Sequence, residues 1–356
     1  ASAREPRDAR VASLAAQATF DQSVDAATVD AGWQCLRAGL EDAGPQPELR
    51  FLEARQLLLD GSFAQAWPAY EARLRLQNNQ LWATCPQPWD GDCPKGRSVV
   101  VVAEQGVGDV LFFARFLPAL QAEAGTVFLL GEPRLALLLR RSYPQVVVLE
   151  QVELARAMAG EQALWIPLAS LPLRYGTSEE AIAATCGLQL QLQPCLQTRW
   201  AQRLEREATM NPRIGVSLTA GGPTKDYQQR KRDVPQEVVL PPLQDRDLTL
   251  IDLQHRSTLP LLRFEGITRN LDELCALISQ LDALITCDQT NAFLGGMLGI
   301  PTLVLVPPNP HFMFGRQGGR SLWFDSLRIV RAPRWADWQG AAHAYERELE
   351  EMLAGI

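Results

Sequence analysis

The chain has 356 residues, 47% hydrophobic and 21% charged, which fits a globular protein of two or three domains. Its net charge of -7 argues against a nucleic-acid binder working by bulk electrostatics, and no apolar run approaches the roughly 20 residues of a membrane span. Seven cysteines, never spaced as Cys-x-x-Cys, fit reduced thiols in a cytoplasmic protein, and three histidines exclude a His-rich metal site.

The opening residues, Ala1 to Arg10, are polar and charged, unlike a secretory signal. With no methionine at position 1, the chain is expected to be either trimmed at its start or a piece of a longer one. Residues 11–80 carry helical patterning. Segments 47–59 and 63–77 predict an antiparallel helical hairpin, joined by the turn Asp60-Gly61-Ser62. Gly61, Phe63, Ala66 and Tyr70 fall where a tetratricopeptide unit places its small and aromatic packing residues, and Pro68 should bend the second helix. One hairpin cannot bury its own apolar face, so it must stack on residues 1–46 or on the next domain. Residues 82–97, dense in Pro and Gly, read as a linker.

An alternation of strands and helices follows. Strands are expected near 98–103, 126–130, 145–149 and 163–167, with helices at 109–123, 132–141, 151–159 and 178–186. A second set begins with a strand at 213–218 and continues through strand 248–253, helix 271–280, strand 282–286, helix 289–298 and strand 301–306. Two such alternations imply two doubly wound α/β domains facing a cleft, with a last helix at 339–354 crossing back to brace the pair.

The most informative stretch is Ala103-Glu-Gln-Gly-Val-Gly-Asp-Val-Leu-Phe-Phe-Ala-Arg-Phe-Leu-Pro118. It follows the valine run 99–102, and its glycines permit a tight turn into a helix beginning near Asp109. That places a carboxylate at the carboxyl edge of a parallel sheet, where ligands bind and where it can act as a general base. An ordinary helix N-cap is the competing explanation. The third glycine of a dinucleotide fingerprint is missing, which disfavours nicotinamide binding.

Two further patches carry chemistry. Residues 219–235 concentrate Lys225, Arg230, Lys231 and Arg232 after the first strand of the second domain, where cations can hold a diphosphate leaving group; a solvated loop is the alternative. Residues 282–306 run from a buried strand through Cys287-Asp288-Gln289-Thr290-Asn291 into a helix whose N-terminus suits a phosphate, although a capped crossover helix reads the same way. Gly295 and Gly296 there permit close approach to the sheet or to a ligand. Asp245-Arg-Asp247 resembles a metal-binding Asp-x-Asp but reads as a turn.

Together these segments resemble the bacterial tetratricopeptide-containing glycosyltransferases, relatives of the heptosyltransferases and more distantly of O-GlcNAc transferase. The likeness covers roughly residues 50–335 and rests on Gly61 to Glu71, Pro88-Trp-Asp-Gly91, 103–118, Ser170-Leu-Pro-Leu173, Arg232-Asp-Val-Pro235, Leu253-Gln254 and 282–306. The resemblance implies a GT-B fold: a helical tetratricopeptide-like region at 1–81, the linker at 82–97, an acceptor domain at 98–205 and a donor domain at 206–356 that includes the bracing helix. It also implies metal-independent, inverting sugar transfer with no cofactor beyond the nucleotide-sugar co-substrate. Asp109 would be the base. Gln105, Gly106 and Gly108 would lie on the acceptor side, and Lys225, Arg232, Gln254, Asp288, Gln289, Thr290 and Asn291 would hold the donor. Relatives read Asp-Thr, then His four residues on, then Leu-Ala-Gly. Here Gln289, Phe293 and Gly295 stand in place of Thr, His and Ala, so either the donor is unusual or catalytic ability has been lost.

The leading expectation is a cytoplasmic enzyme glycosylating a protein hydroxyl, with the helical region holding that protein and flagellin as the acceptor the resemblance suggests. No nucleic acid or membrane span is expected among its partners. The rivals are a non-catalytic scaffold that binds a partner or a nucleotide sugar, and an enzyme acting on a lipid-linked or saccharide acceptor. His255, His311 and His343 carry no assigned role. Arg316, Gln317 and Arg320 are loop residues that border the cleft or stand apart from it.

Overall fold

The computed structural model describes residues 6–76, 89–185, 190–208, 210–220, 232–244, 246–255, 257 and 259–356. It opens with a helical unit: α1 (Pro6–Phe20), α2 (Ala26–Ala43), α3 (Pro47–Leu59), α4 (Phe63–Tyr70) and the short α5 (Arg73–Leu76). Ala9, Ala16, Phe20, Leu36, Leu49 and Leu52 bury the shared face of the first three helices. The long helix expected over 63–77 is broken after Tyr70, two residues past Pro68, which lacks the N–H a continuous helix needs.

The first lobe is a parallel sheet in the order β3-β2-β1-β4, from β1 (Val99–Val102), β2 (Val127–Leu130), β3 (Val147–Leu149) and β4 (Leu164–Pro167). Four consecutive buried valines make β1 the central strand, as a sheet covered on both faces requires. The helix expected over 109–123 is α6 (Val107–Phe113), a 3-10 turn over 114–116 and α7 (Leu117–Glu123), with Pro118 in the first turn of α7. α8 (Ala136–Ser142), α9 (Val152–Ala159), α10 (Pro172–Tyr175) and α11 (Glu179–Ala183) complete the lobe.

The second lobe is preceded by α12 (Pro194–Glu207), a helix absent from the expectations above. Its Trp200 packs edge-on against Phe264 of the second lobe, with ring centroids 5.0 Å apart, so the chain changes lobe before residue 205. Six parallel strands follow in the order β10-β9-β8-β5-β6-β7: β5 (Arg213–Ser217), β6 (Thr249–Asp252), β7 (Leu262–Arg263), β8 (Ala283–Cys287), β9 (Thr302–Val306) and β10 (Leu327–Arg331). Neither β7 nor β10 was expected. Their helices are α13 (Gln236–Val239), α14 (Leu271–Ile278), α15 (Thr290–Leu298) and α16 (Ala342–Leu353).

α16 lays Tyr345, Leu349 and Met352 against the second sheet beside Leu303, Leu305 and Val330, where a brace between the lobes was expected. The helical unit does the bracing instead. Toward the first lobe, the Trp67 indole N–H donates to the Gly176 carbonyl at 2.7 Å, and Arg73 pairs with Glu104 at 2.7 Å. Toward the second, the Val24 N–H donates to the Pro333 carbonyl at 3.2 Å, Asn309 Nδ2 donates to Asp21 at 2.9 Å, and Arg316 pairs with Asp60. One apolar core contains Leu58, Trp67 and Tyr70 of the helical unit, Val99 and Phe112 of the first lobe, and Phe293, Phe312 and Trp323 of the second.

Candidate functional site

Sheet topology locates the site. From β5 the chain winds outward through β6 and β7, then returns to the other side as β8, β9 and β10. The crevice of such a sheet opens where the winding reverses, at the carboxyl ends of β5 and β8. In the first sheet the same reversal falls between β1 and β4. Asp109 follows β1 on α6, and Asp288 directly follows β8. Both acidic side chains therefore sit at switch points, one in each lobe.

They share a cleft of about 250 Å³. Gln105 and Asp109 line it from the first lobe, and Arg232, Asp288 and His311 from the second. Phe51, Arg55 and Tyr70 of the helical unit close a third side. Asp109 does not cap its helix: the N-cap is Gly106, and among the described residues no N–H or O–H lies within hydrogen-bonding distance of its carboxylate. Its nearest ionisable neighbour is His311, with Nε2 3.7 Å from Oδ1. Asp288, 2% exposed, accepts the His311 backbone N–H at 2.8 Å and faces Arg232 at 3.7 Å. This Arg–Asp pair leaves the guanidinium at the cleft wall, able to meet an anion.

The wall behind Asp109 is rigidly held. Tyr70 shares a long contact with the Gln105 amide at 3.4 Å, and burial pushes its phenol well above the usual tyrosine range. Arg73, 6% exposed, gathers Glu71, Glu104 and Ser170, with the Ser170 hydroxyl donating to Glu71 at 2.8 Å. Glu71, Glu104 and Ser170 came from three separate resemblance segments, and they meet here around one arginine.

Several expected donor residues are engaged elsewhere. Gln254 accepts the Leu218 N–H at 3.0 Å and donates to Ser257 at 2.9 Å. Gln289 donates to the Ser217 carbonyl at 3.1 Å and to its hydroxyl, and buried Asn291 donates to the Leu253 carbonyl at 3.4 Å. These three amides tie the strand ends together and are not among the cleft's lining residues. Thr290 sits at the seam between the lobes, its hydroxyl 3.6 Å from where a β-carbon on Gly108 would lie. Lys225, Arg230, Lys231 and Asp245 lie outside the described residues.

Phe293 offers no stacking surface to a ligand. It is 5% exposed and packs edge-on against Phe112, ring centroids 5.9 Å apart. Gly295 serves sheet packing, since a β-carbon there would lie 2.3 Å from the Thr302 hydroxyl. Cys287, beside Asp288, is fully buried, and that burial pushes its thiol far up, out of nucleophilic range. Arg316, Gln317 and Arg320 line a separate cavity of about 430 Å³ against Asp60 and Glu179.

His311 is the residue that sequence reasoning missed. It stands in Asn-Pro-His-Phe, five positions beyond the end of β9, on the same carboxyl edge as Asp288. A polar residue just past a strand of a doubly wound sheet was the available signal.

Among the described residues no three His, Cys, Asp or Glu side chains gather as metal ligands, and no helix is long and apolar enough to cross a membrane. No protein-family model matches the chain. Among curated proteins it is similar to Protein FlbA of Caulobacter vibrioides, 22% identical over a 368-position alignment that covers 93% of this chain. The chain spans about 60% of the length of that relative. Among solved structures it is similar to the E. coli ADP-heptose LPS heptosyltransferase II, at 16% identity and a TM-score of 0.49, covering 72% of this chain and 99% of the other. It is also similar to the glycosyl transferase family 9 protein of Veillonella parvula, with 13% identity and a TM-score of 0.53 over 76% of this chain and 100% of that one. The two parallel-sheet lobes thus share the GT-B-like fold of a glycosyltransferase.

Proposed function

We propose that this chain transfers a sugar from a nucleotide-sugar donor to a hydroxyl, in one inverting step. Asp109 removes the proton from the acceptor hydroxyl, whose oxygen attacks the anomeric carbon as the bond to the diphosphate breaks. Arg232, with the N-terminus of α15 behind Asp288, meets the negative charge on the departing diphosphate. Gln105, Gly106 and Gly108 flank the acceptor. Gln254, Gln289, Thr290 and Asn291 shape the donor edge through the strand ends they tie together, and Lys225 belongs to the same basic loop. A protein acceptor, flagellin among the candidates, follows from the resemblance and from the helical wall of the cleft.

One observation carries the reading. Asp109, with no hydrogen-bond donor on its carboxylate among the described residues, faces Arg232 and Asp288 across a cleft joining the switch points of two glycosyltransferase-like lobes. The rival scaffold reading draws on Phe293, a buried ring where relatives carry an imidazole.

Purified protein is to be screened by thermal shift against UDP-, GDP-, ADP- and CMP-linked sugars, since a bound ligand raises the melting temperature by mass action. With the stabilising donor, Asp109→Asn is expected to lower transfer or donor hydrolysis by about 10²–10⁴-fold while the donor's dissociation constant holds. Unchanged turnover in that variant removes Asp109 from the mechanism. Stabilisation by a donor with no turnover under any condition leaves the scaffold.

A further inference from the structure

The imidazole of His311 reaches Asp109 from the opposite lobe, although 202 positions separate the two residues in sequence. Three contacts fix how it does so. Its backbone N–H donates to Asp288 Oδ2 at 2.8 Å, which anchors the residue to the end of β8. Its ring nitrogen Nδ1 accepts the Met313 N–H at 3.3 Å, capping the 3-10 turn over 312–314. A ring nitrogen that accepts carries no proton, so the neutral ring bears its proton on Nε2, the nitrogen facing Asp109. The rings of Phe312, Phe293 and Phe112, with centroids 4.2, 5.4 and 5.9 Å away, then restrict rotation of the imidazole.

We propose that His311 is the positioning residue for Asp109, a role that rests on the reading of Asp109 as the base. The Nε2–H holds Oδ1 of the carboxylate, which leaves the second oxygen, Oδ2, to take the acceptor proton. Oδ2 lies over Gly106, 3.4 Å from where a β-carbon would sit, and the absent side chain keeps that approach open. The present 3.7 Å separation becomes a hydrogen bond when the two groups close by less than about 1 Å. The other charged groups of the cleft, Asp288, Arg232 and Arg55, belong to the second lobe and the helical unit, so His311 is the contact through which the donor lobe sets the base of the acceptor lobe.

The two ring nitrogens have different jobs, and two substitutions separate them. Gln can present an N–H at the Nε2 position, whereas the shorter Asn reaches only the Nδ1 position, where its amide oxygen can accept the Met313 N–H. His311→Asn is expected to lower kcat by about a hundredfold, the cost of a misplaced catalytic group, with KM for the donor unchanged. His311→Gln should retain most of kcat. The opposite order, with Asn active and Gln impaired, would make His311 a turn cap and overturn the proposal.

A second measurement stands without activity. The chain has three histidines, so selective ¹⁵N-histidine labelling gives few side-chain signals, and His311→Gln assigns those of His311. In Asp109→Asn the His311 Nε2 resonance should move while those of His255 and His343 stay. A stationary His311 signal would sink the proposal. Absence of sugar transfer by the native protein would sink the enzymatic reading alone and leave the pairing to this measurement.

Discussion

Arg73 shows what single residues contribute to the site. Its guanidinium sits under Tyr70, 6% exposed, and binds Glu71, Glu104 and Ser170, so the carboxylates of two elements converge on one cation. Removing it takes from Glu104, whose side chain is 4% exposed, the cation it pairs with at 2.7 Å. Arg73→Met is therefore expected to cost about 3–5 kcal/mol in urea unfolding, and Arg73→Met/Glu104→Gln should recover part of that. A loss below about 1 kcal/mol would show that the cluster is solvated and unimportant. The sequence named Glu71, Glu104 and Ser170 as parts of separate motifs, yet nothing in their spacing says that they meet. The position of His311 past β9 could be read, but its pairing with Asp109 could not: a contact across lobes has no local signature, and the ring is held by aromatics 18 and 199 positions away, Phe293 and Phe112.

At the level of elements, legibility followed burial. β1, β8 and β9 are runs buried at every position and apolar apart from Thr286 and Thr302, and were plain in the sequence. β10, Leu-Arg-Ile-Val-Arg, places arginines at its second and last positions, and β7 has two residues, so neither carries such a run. α12 presents Trp200 and Leu204 on one face of an otherwise polar helix, a pattern that was present and passed over. The seam between α7 and α10 provides a test. The hydrogen bonds of Arg174, then Tyr175, hold the Glu123 carboxyl down to about 2, against an ordinary value of 4.5. A lowered folded-state value means stabilisation that is present above the unfolded value and lost as pH falls through the folded one. Glu123→Gln should cost about 1 kcal/mol near neutrality, a small figure because the pair is partly solvent-exposed. The gap between variant and native protein should narrow as pH drops from about 4.5 toward 2. A gap constant over that range would disconnect Glu123 from the seam.

For the whole molecule the decisive feature is the shared core. The two α/β lobes were legible, and so was the helical region before them; their fusion was not. Arg115 of the first lobe, 3% exposed, donates to the Trp323 carbonyl of the second at 2.9 Å and lies over the rings of Phe112, Trp323 and Phe324. Domains that meet through a large apolar contact do not move as independent bodies. Calorimetry should accordingly give one transition, with calorimetric and van't Hoff enthalpies in agreement. Two resolved transitions would mean that the seam is weaker than its packing. A single unit also explains why the cleft has three walls, since Phe51 and Tyr70 are held in place by the core that joins the lobes.

The clasp between the early helices and the far end of the chain bears on how the molecule is made. Ser23 donates to the Pro333 carbonyl across 310 positions, Asn309 to Asp21 across 288, and Arg316 to Asp60 across 256. Contacts that distant raise the entropic cost of loop closure and slow folding. On the ribosome, α1 to α3 can bury their shared apolar face as they emerge, whereas the polar clasp waits until residues 309–335 are synthesised. The bonds that secure the third wall of the cleft are therefore the last that translation allows to form.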